Sequence, residues 1–262
     1  MNRRFALAIA AVTLLAVSAG CLGYATGGGE VTNETLDAEP PREYDFDTDR
    51  DAAFTLSTDS TYTAVYAVGD REELRLFRQT PYSGDEPMPF EALRYQYPDG
   101  EVVNGSEFRA RGGEVERTTD ETWIRFADDM AGGRLAFSGE GSPRRFTMRA
   151  YVEGSYAVTL PPGFSTDAPI VGHVSPRDHA VETVGDRDRI VWDEVTGGSV
   201  VVQSYREGDL LVFGVILVIA VIAAIAGVLY FRRQLEALRE QRRDLGLGVN
   251  EGDEGDEDDG WL

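Results

Sequence analysis

Lysine is absent from the 262 residues, cysteine occurs once and histidine twice. The missing lysine excludes Schiff-base chemistry, a Ser-Lys dyad and a P-loop lysine. The single cysteine, Cys21, excludes an intramolecular disulfide framework, a cysteine-based zinc site and a thioredoxin-type pair. Positive charge is scarce too. All 25 basic residues are arginine, against 46 acidic ones, for a formal net charge of −21. Such a chain repels a phosphate backbone, so no nucleic-acid partner is expected.

Motifs for chemistry are also lacking. His173 and His179, with Asp178 beside the second, have a spacing that matches no zinc-protease pattern. No G-x-S-x-G elbow is present, and Gly27-Gly28-Gly29 lies in no strand-to-helix frame. Acid pairs such as Asp128-Asp129 and Asp193-Glu194 are commonplace in so acidic a chain and identify no glycosidase. A non-enzymatic protein is expected, with no catalytic, cofactor-binding or metal residue and no cofactor.

Two apolar segments set the topology. Met1-Asn2-Arg3-Arg4 followed by Phe5 to Val17 reads as a charged n-region and an apolar h-region, too short to span a bilayer well. It ends at Ser18-Ala19-Gly20-Cys21, small residues before a cysteine, as in a lipobox. Residues 1–21 are therefore expected to be a signal peptide, and Cys21 a lipidation site. The second segment, Leu210 to Phe231, has 22 residues without a charge. As a helix it is about 33 Å long, against a hydrocarbon core of about 30 Å. Five arginines follow between Arg232 and Arg243, which puts the C-terminus in the cytoplasm and the bulk of the chain outside. Residues 232–262 form a basic-then-acidic inner tail. Small residues at 220/224 and 223/227 would let the span self-associate or dock on a membrane partner.

The region outside the membrane reads as mainly β. Short alternating runs, such as Phe146-Thr147-Met148-Arg149-Ala150, are separated by turn formers such as Pro98-Asp99-Gly100 and Gly185-Asp186. A β-sandwich-like region is expected, as a distal part over 52–140 and a membrane-proximal part over 141–208 that pack together or share a sheet. Trp123, Phe126, Phe137, Tyr151, Tyr156 and Trp192 are the expected core aromatics. Residues 22–51, rich in Gly, Thr, Pro and acids, are expected to be a flexible acidic tether. Asp45, Asp47, Asp49 and Asp51 alternate there, but the calcium-loop pattern fails at Arg50 and Leu56. Asn33-Glu34-Thr35 and Asn104-Gly105-Ser106 are N-x-S/T sequons in the outer part, so Asn33 and Asn104 are candidate glycosylation sites.

Together, Ser18-Ala19-Gly20-Cys21, the β-rich outer region, the single C-terminal span and the Arg-then-acid tail resemble haloarchaeal surface proteins grouped only as families of unknown function. Leu160-Pro161-Pro162-Gly163-Phe164 and Ile190-Val191-Trp192 look like their membrane-proximal portion. The resemblance implies a location and an architecture, and no activity. The resulting expectation is a cell-envelope protein serving interaction or scaffolding. A ligand- or cation-binding sensor is the alternative, and a hydrolase without a recognisable motif the more distant one. An acid surplus without lysine also suits water-poor, salty surroundings, because short carboxylates hold water and cations. The same charges repel one another when salt is removed. Circular dichroism in dilute buffer should show a loosened fold, and an unchanged spectrum would reject the halophilic reading.

Overall fold

Alternation of large apolar with small or polar residues decides the main sheet. In β1 (Ala52–Leu56), Phe54 and Leu56 are buried and Thr55 is half-buried; in β2 (Thr61–Ala67), Tyr62, Ala64 and Tyr66 point the same way as Phe54. The computed structural model describes residues 31–80, 84–168 and 172–244. They fall into two units, one up to Glu207 and one from Gly208. The signal segment, Cys21 and residues 245–262 of the tail lie outside the described residues.

The first unit is built of short strands in chain order. After β1 and β2 come β3 (Glu73–Thr80), β4 (Gly84–Pro87), β5 (Glu91–Gln96) and β6 (Val102–Asn104). Next are β7 (Glu114–Arg117), β8 (Thr122–Arg125), β9 (Arg134–Glu140), β10 (Arg145–Arg149) and β11 (Gly154–Thr159). The last are β12 (Phe164–Ser165), β13 (His173–Ser175), β14 (Ala180–Val184), β15 (Arg187–Val195), β16 (Ser199–Gln203) and β17 (Tyr205–Arg206). Eight of them form one sheet in the order β14-β15-β11-β1-β2-β9-β5-β6. Smaller sheets are β4-β3-β8-β7, β10-β16-β13 and the pair β12-β17.

One contiguous core joins three of these sheets. Phe54, Tyr62, Tyr66, Tyr156 and Phe137 come from the large sheet, Phe146 and Val200 from the three-stranded one, and Leu76 and Ile124 from the four-stranded one. Phe146 meets the rings of both Phe54 and Tyr62 at 5.4 Å, so the three-stranded sheet is held by aromatic packing. The outer face of the four-stranded sheet carries charge instead. There Arg125 lies against Glu73, Glu114 and Glu116, and Arg75 against Glu121. Trp123, expected in the core, is half-buried on this outer face between Arg75 and Arg125. Strand parity explains it, because neighbouring Thr122 and Ile124 take the inward positions. Phe137, Tyr156 and Trp192 are fully buried, and Phe126 and Tyr151 are partly so.

The boundary placed at 140/141 falls between halves that share the large sheet. β1 pairs antiparallel with β2 on one side and parallel with β11 on the other. The parallel seam starts at a side-chain clasp. Asp51 Oδ2 accepts from both the Ser155 amide and the Ser155 hydroxyl at 2.8 Å, and Ser155 Oγ accepts from the Asp51 amide at 3.1 Å. Only glycine suits position 154, where φ is +138° and a Cβ would lie 2.3 Å from Asp51 Oδ2.

The tether expected over 22–51 is packed down from residue 31 onward. α1 (Asn33–Asp37) is capped by Thr32 and buries Leu36. α2 (Gly105–Ala110) lies beside it, and Gly105 is so close that a Cβ would sit 2.3 Å from that of Leu36. Composition alone misses this because the segment's backbone is captured by distant side chains. Arg94 donates to the carbonyls of Leu36 and Ala38, and Arg109 to that of Val31.

Burial raises the Asp51 pKa, but the Ser155 hydrogen bonds and the nearby Arg71 and Arg134 outweigh it, and the net shift is downward from 3.8. A group whose folded pKa is depressed contributes stability that is present above its unfolded value and lost as pH falls through the folded one. Urea midpoints measured from about pH 5 to about pH 2 at constant salt should therefore drop more steeply for the native chain than for Asp51→Asn. Parallel curves would show that the clasp is not a charged one.

Candidate membrane anchor and sheet-face groove

The second unit is carried by α3 (Glu207–Asp244), whose candidate spanning part is Gly208–Glu236. No residue from Leu210 to Phe231 can ionise in a way that would resist burial in lipid, and leucine, isoleucine and valine dominate the segment. Their side chains are exposed on every side, with Leu211 at 72 % and Phe213 at 64 %. A helix apolar all round and unburied matches a lipid environment, where its backbone polar groups are satisfied internally. Gly214 and Gly227 have open space where a Cβ would stand.

The first unit carries a groove on the face of the large sheet that looks away from the core. Register lines the residues of this face into two rows. One row is Ala136, Val65, Ala53, Ala157 and Val191. The next is Ser138, Thr63, Thr55, Thr159 and Arg189, followed by Glu182 on β14. Part of this face is covered by a strap over residues 39–51. Tyr44 and Phe46 pack on Val65 and Ala136, and the Tyr44 hydroxyl donates to the Ala92 carbonyl at 2.6 Å. Burial pushes the Tyr44 pKa up to about 12. The strap is anchored at a bulge. Ala92 has φ +56° where β5 and β9 slip register, and the freed carbonyls of Ala92 and Glu91 accept from Tyr44 and Ser138.

Beyond Tyr44 the face stays open as a groove of about 380 Å³. Thr55, Thr63 and Thr159 are on its floor, and their hydroxyls have no hydrogen-bond partner among the described residues. Arg42, Arg187 and Arg189 line it, together with Glu43 and Asp45 of the strap. Arg189 reaches Asp49 at 3.4 Å. Arg42 and Arg187 make no ion pair among the described residues. Burial and then Arg42 push the Arg187 pKa below its ordinary value, and Asp186 opposes them in part.

The two sequons meet at one corner of the unit. Asn104 caps α2 through its Oδ1, which accepts from the Glu107 amide at 2.9 Å, and Glu107 completes a capping box. Asn33 Oδ1 accepts from Arg109 of the same helix at 2.6 Å. Ser106, the third residue of the second sequon, donates its amide to Asp37 at 2.8 Å and its hydroxyl to the same carboxylate. Asn33 and Ser106 thus tie α1 to α2, and Asn104 caps α2. The histidines stay apart from any metal geometry. His173 pairs in register with Gln203, the His179 ring is tilted against that of Trp192 at 6.0 Å, and no group of three or more His, Cys, Asp and Glu is placed to hold a metal among the described residues.

Sequence reasoning missed the groove. Its only local signal was alternation in β1, β2 and β11, and threonine in a strand ordinarily signifies β propensity alone. No curated protein matches the chain. A family model does match it, over residues 48–250, a range that includes the groove floor and the spanning segment. The chain belongs to that family, DUF5803, a family of unknown function.

Proposed function

We propose that the protein is a non-enzymatic, single-pass membrane protein of the cell envelope, which holds a β-rich unit outside the cell for interaction or scaffolding. The observation that carries this reading is α3. Its 22-residue uncharged stretch is long enough for a bilayer and has no protein surface against it within its own unit. The orientation rests on charge. Glu207 and Asp209 precede the span, and Arg232, Arg233, Arg239, Arg242 and Arg243 follow it. The β unit is built for the wet side, with ion pairs across the outer face of its four-stranded sheet.

Lipidation of Cys21 would add a second attachment at the other end of the mature chain. A single lipid holds a protein reversibly, whereas a spanning helix is effectively permanent. The helix therefore accounts for retention, and the lipid would draw the start of the β unit back to the membrane. Asn33 and Asn104 would place any glycans together at the α1–α2 corner. Partner binding in the membrane would use the small residues Ala220, Ala223, Ala224 and Gly227.

Deleting residues 210–231 and fractionating cells tests both attachments. The shortened protein should remain loosely membrane-bound and be released by Cys21→Ser. Full release with Cys21 intact would show that no lipid is present, and tight retention without residues 210–231 would reject the helix as the anchor.

A further inference from the structure

The two faces of the eight-stranded sheet are built on different chemistry. The core face carries Phe54, Leu56, Tyr62, Tyr66, Tyr156 and Trp192. The other face carries alanines, valines and a row of hydroxyls, so no large side chain rises from the floor of the groove. Three hydroxyls in that row, on Thr63, Thr55 and Thr159, come from three adjacent strands. Directly paired residues on neighbouring strands have Cβ atoms about 5 Å apart. The row therefore offers three donor-acceptor groups in a line at a spacing that one hydroxylated ring can bridge. None of the three has a hydrogen-bond partner among the described residues.

Past Thr159 the line runs into Arg189, which pairs with Asp49 at 3.4 Å, and Arg187 stands two residues before it on the same strand. Arg187 is half-buried, lines the groove together with Arg42, and makes no ion pair among the described residues. Arg111, by contrast, forks onto Glu101 at 2.6 and 2.7 Å, and Arg94 and Arg109 bind carbonyls. A guanidinium is permanently charged and matches a carboxylate with two parallel hydrogen bonds. Two acids on the strap, Glu43 and Asp45, also line the groove, and carboxylates can accept hydrogen bonds from ligand hydroxyls. The arginines oppose a bare cation in the same space.

We propose that this groove binds a hydroxylated carboxylate, of the class of sugar acids and acidic sugars, with Arg187 and Arg42 on the carboxylate and Thr55, Thr63 and Thr159 on the hydroxyls. The inference goes beyond membrane display, and depends on neither the orientation of α3 nor the lipid. It makes the open sheet face the working surface of the β unit. The strap then has a further task, since Tyr44 and Phe46 close one end of the face and limit the ligand to about a single ring.

Isothermal titration calorimetry on the full chain in nanodiscs, at constant potassium chloride, tests this with glucuronate, glucose and sulfate as probes. Glucuronate should bind, sulfate should bind at least about fivefold more weakly, and glucose should give no measurable heat. Arg187→Gln should weaken glucuronate at least about tenfold, and Thr55→Val by about three- to tenfold, while Arg111→Gln, whose ion pair with Glu101 lies outside the groove, should leave it unchanged. Thermal midpoints identify any variant that fails to fold, and Thr55→Val then carries the test alone. Absence of glucuronate binding, equal binding of glucose, or unchanged affinity in the folded groove variants would overturn the proposal. Sulfate binding as tight as glucuronate would overturn the role of the hydroxyl row.

Discussion

Strand β1 has one neighbour just across a short turn and another on the far side of the sequence. Its pairing with β2 is a local hairpin event, whereas its pairing with β11 brings together Asp51 and Ser155, 104 residues apart. That parallel seam makes one unit of two halves, each small for a core of its own. The central aromatic cluster depends on it, because Phe54 of β1 contacts Tyr156 of β11 at 6.3 Å and Phe146 of β10 at 5.4 Å. The groove depends on it too, since Thr55 and Thr159 become neighbours only in that register. The Asp51–Ser155 clasp stands at the start of this register, and a one-residue slip at the seam would put Thr159 and Thr55 on opposite faces.

Much of this fold was legible locally. The run Phe146-Thr147-Met148-Arg149 falls on β10, where Phe146 and Met148 are buried while Arg145 and Thr147 are exposed, because a half-buried strand alternates with period two. The spanning segment was legible for a simpler reason: length and apolarity suffice. What lay beyond local reading was every feature set by distant contact. α1 owes its place to Arg94, Arg109 and Gly105, none of which is near it in sequence. Trp123 faces outward because of strand parity in β8, which hydrophobicity alone contradicts. Thr55, Thr63 and Thr159 resemble any other strand threonines until the sheet order aligns them.

Charge is distributed according to these constraints. Where arginine is scarce and acids are abundant, most arginines of the β unit either join an ion pair or clamp backbone carbonyls, and the packed N-terminal segment is held largely by the latter. Arg187 and Arg42 depart from that rule at the groove. Past the β unit the sequence turns wholly apolar for 22 residues and then becomes basic. The first unit solves the problem of a small core by combining sheets. The second needs no core, because its backbone hydrogen bonds are internal to one helix and its side chains suit lipid.

The central claim is that one helix separates a β unit on the outer side of a membrane from a basic tail on the inner side. It is tested most directly by labelling single introduced cysteines with a membrane-impermeant maleimide in a Cys21→Ser background. Glu153 and Glu236 are both exposed, one in the β unit and one five residues after the uncharged stretch that ends at Phe231. Glu153→Cys should react in intact cells and Glu236→Cys only after permeabilisation. Labelling of Glu236→Cys in intact cells, or protection of Glu153→Cys, would contradict the account.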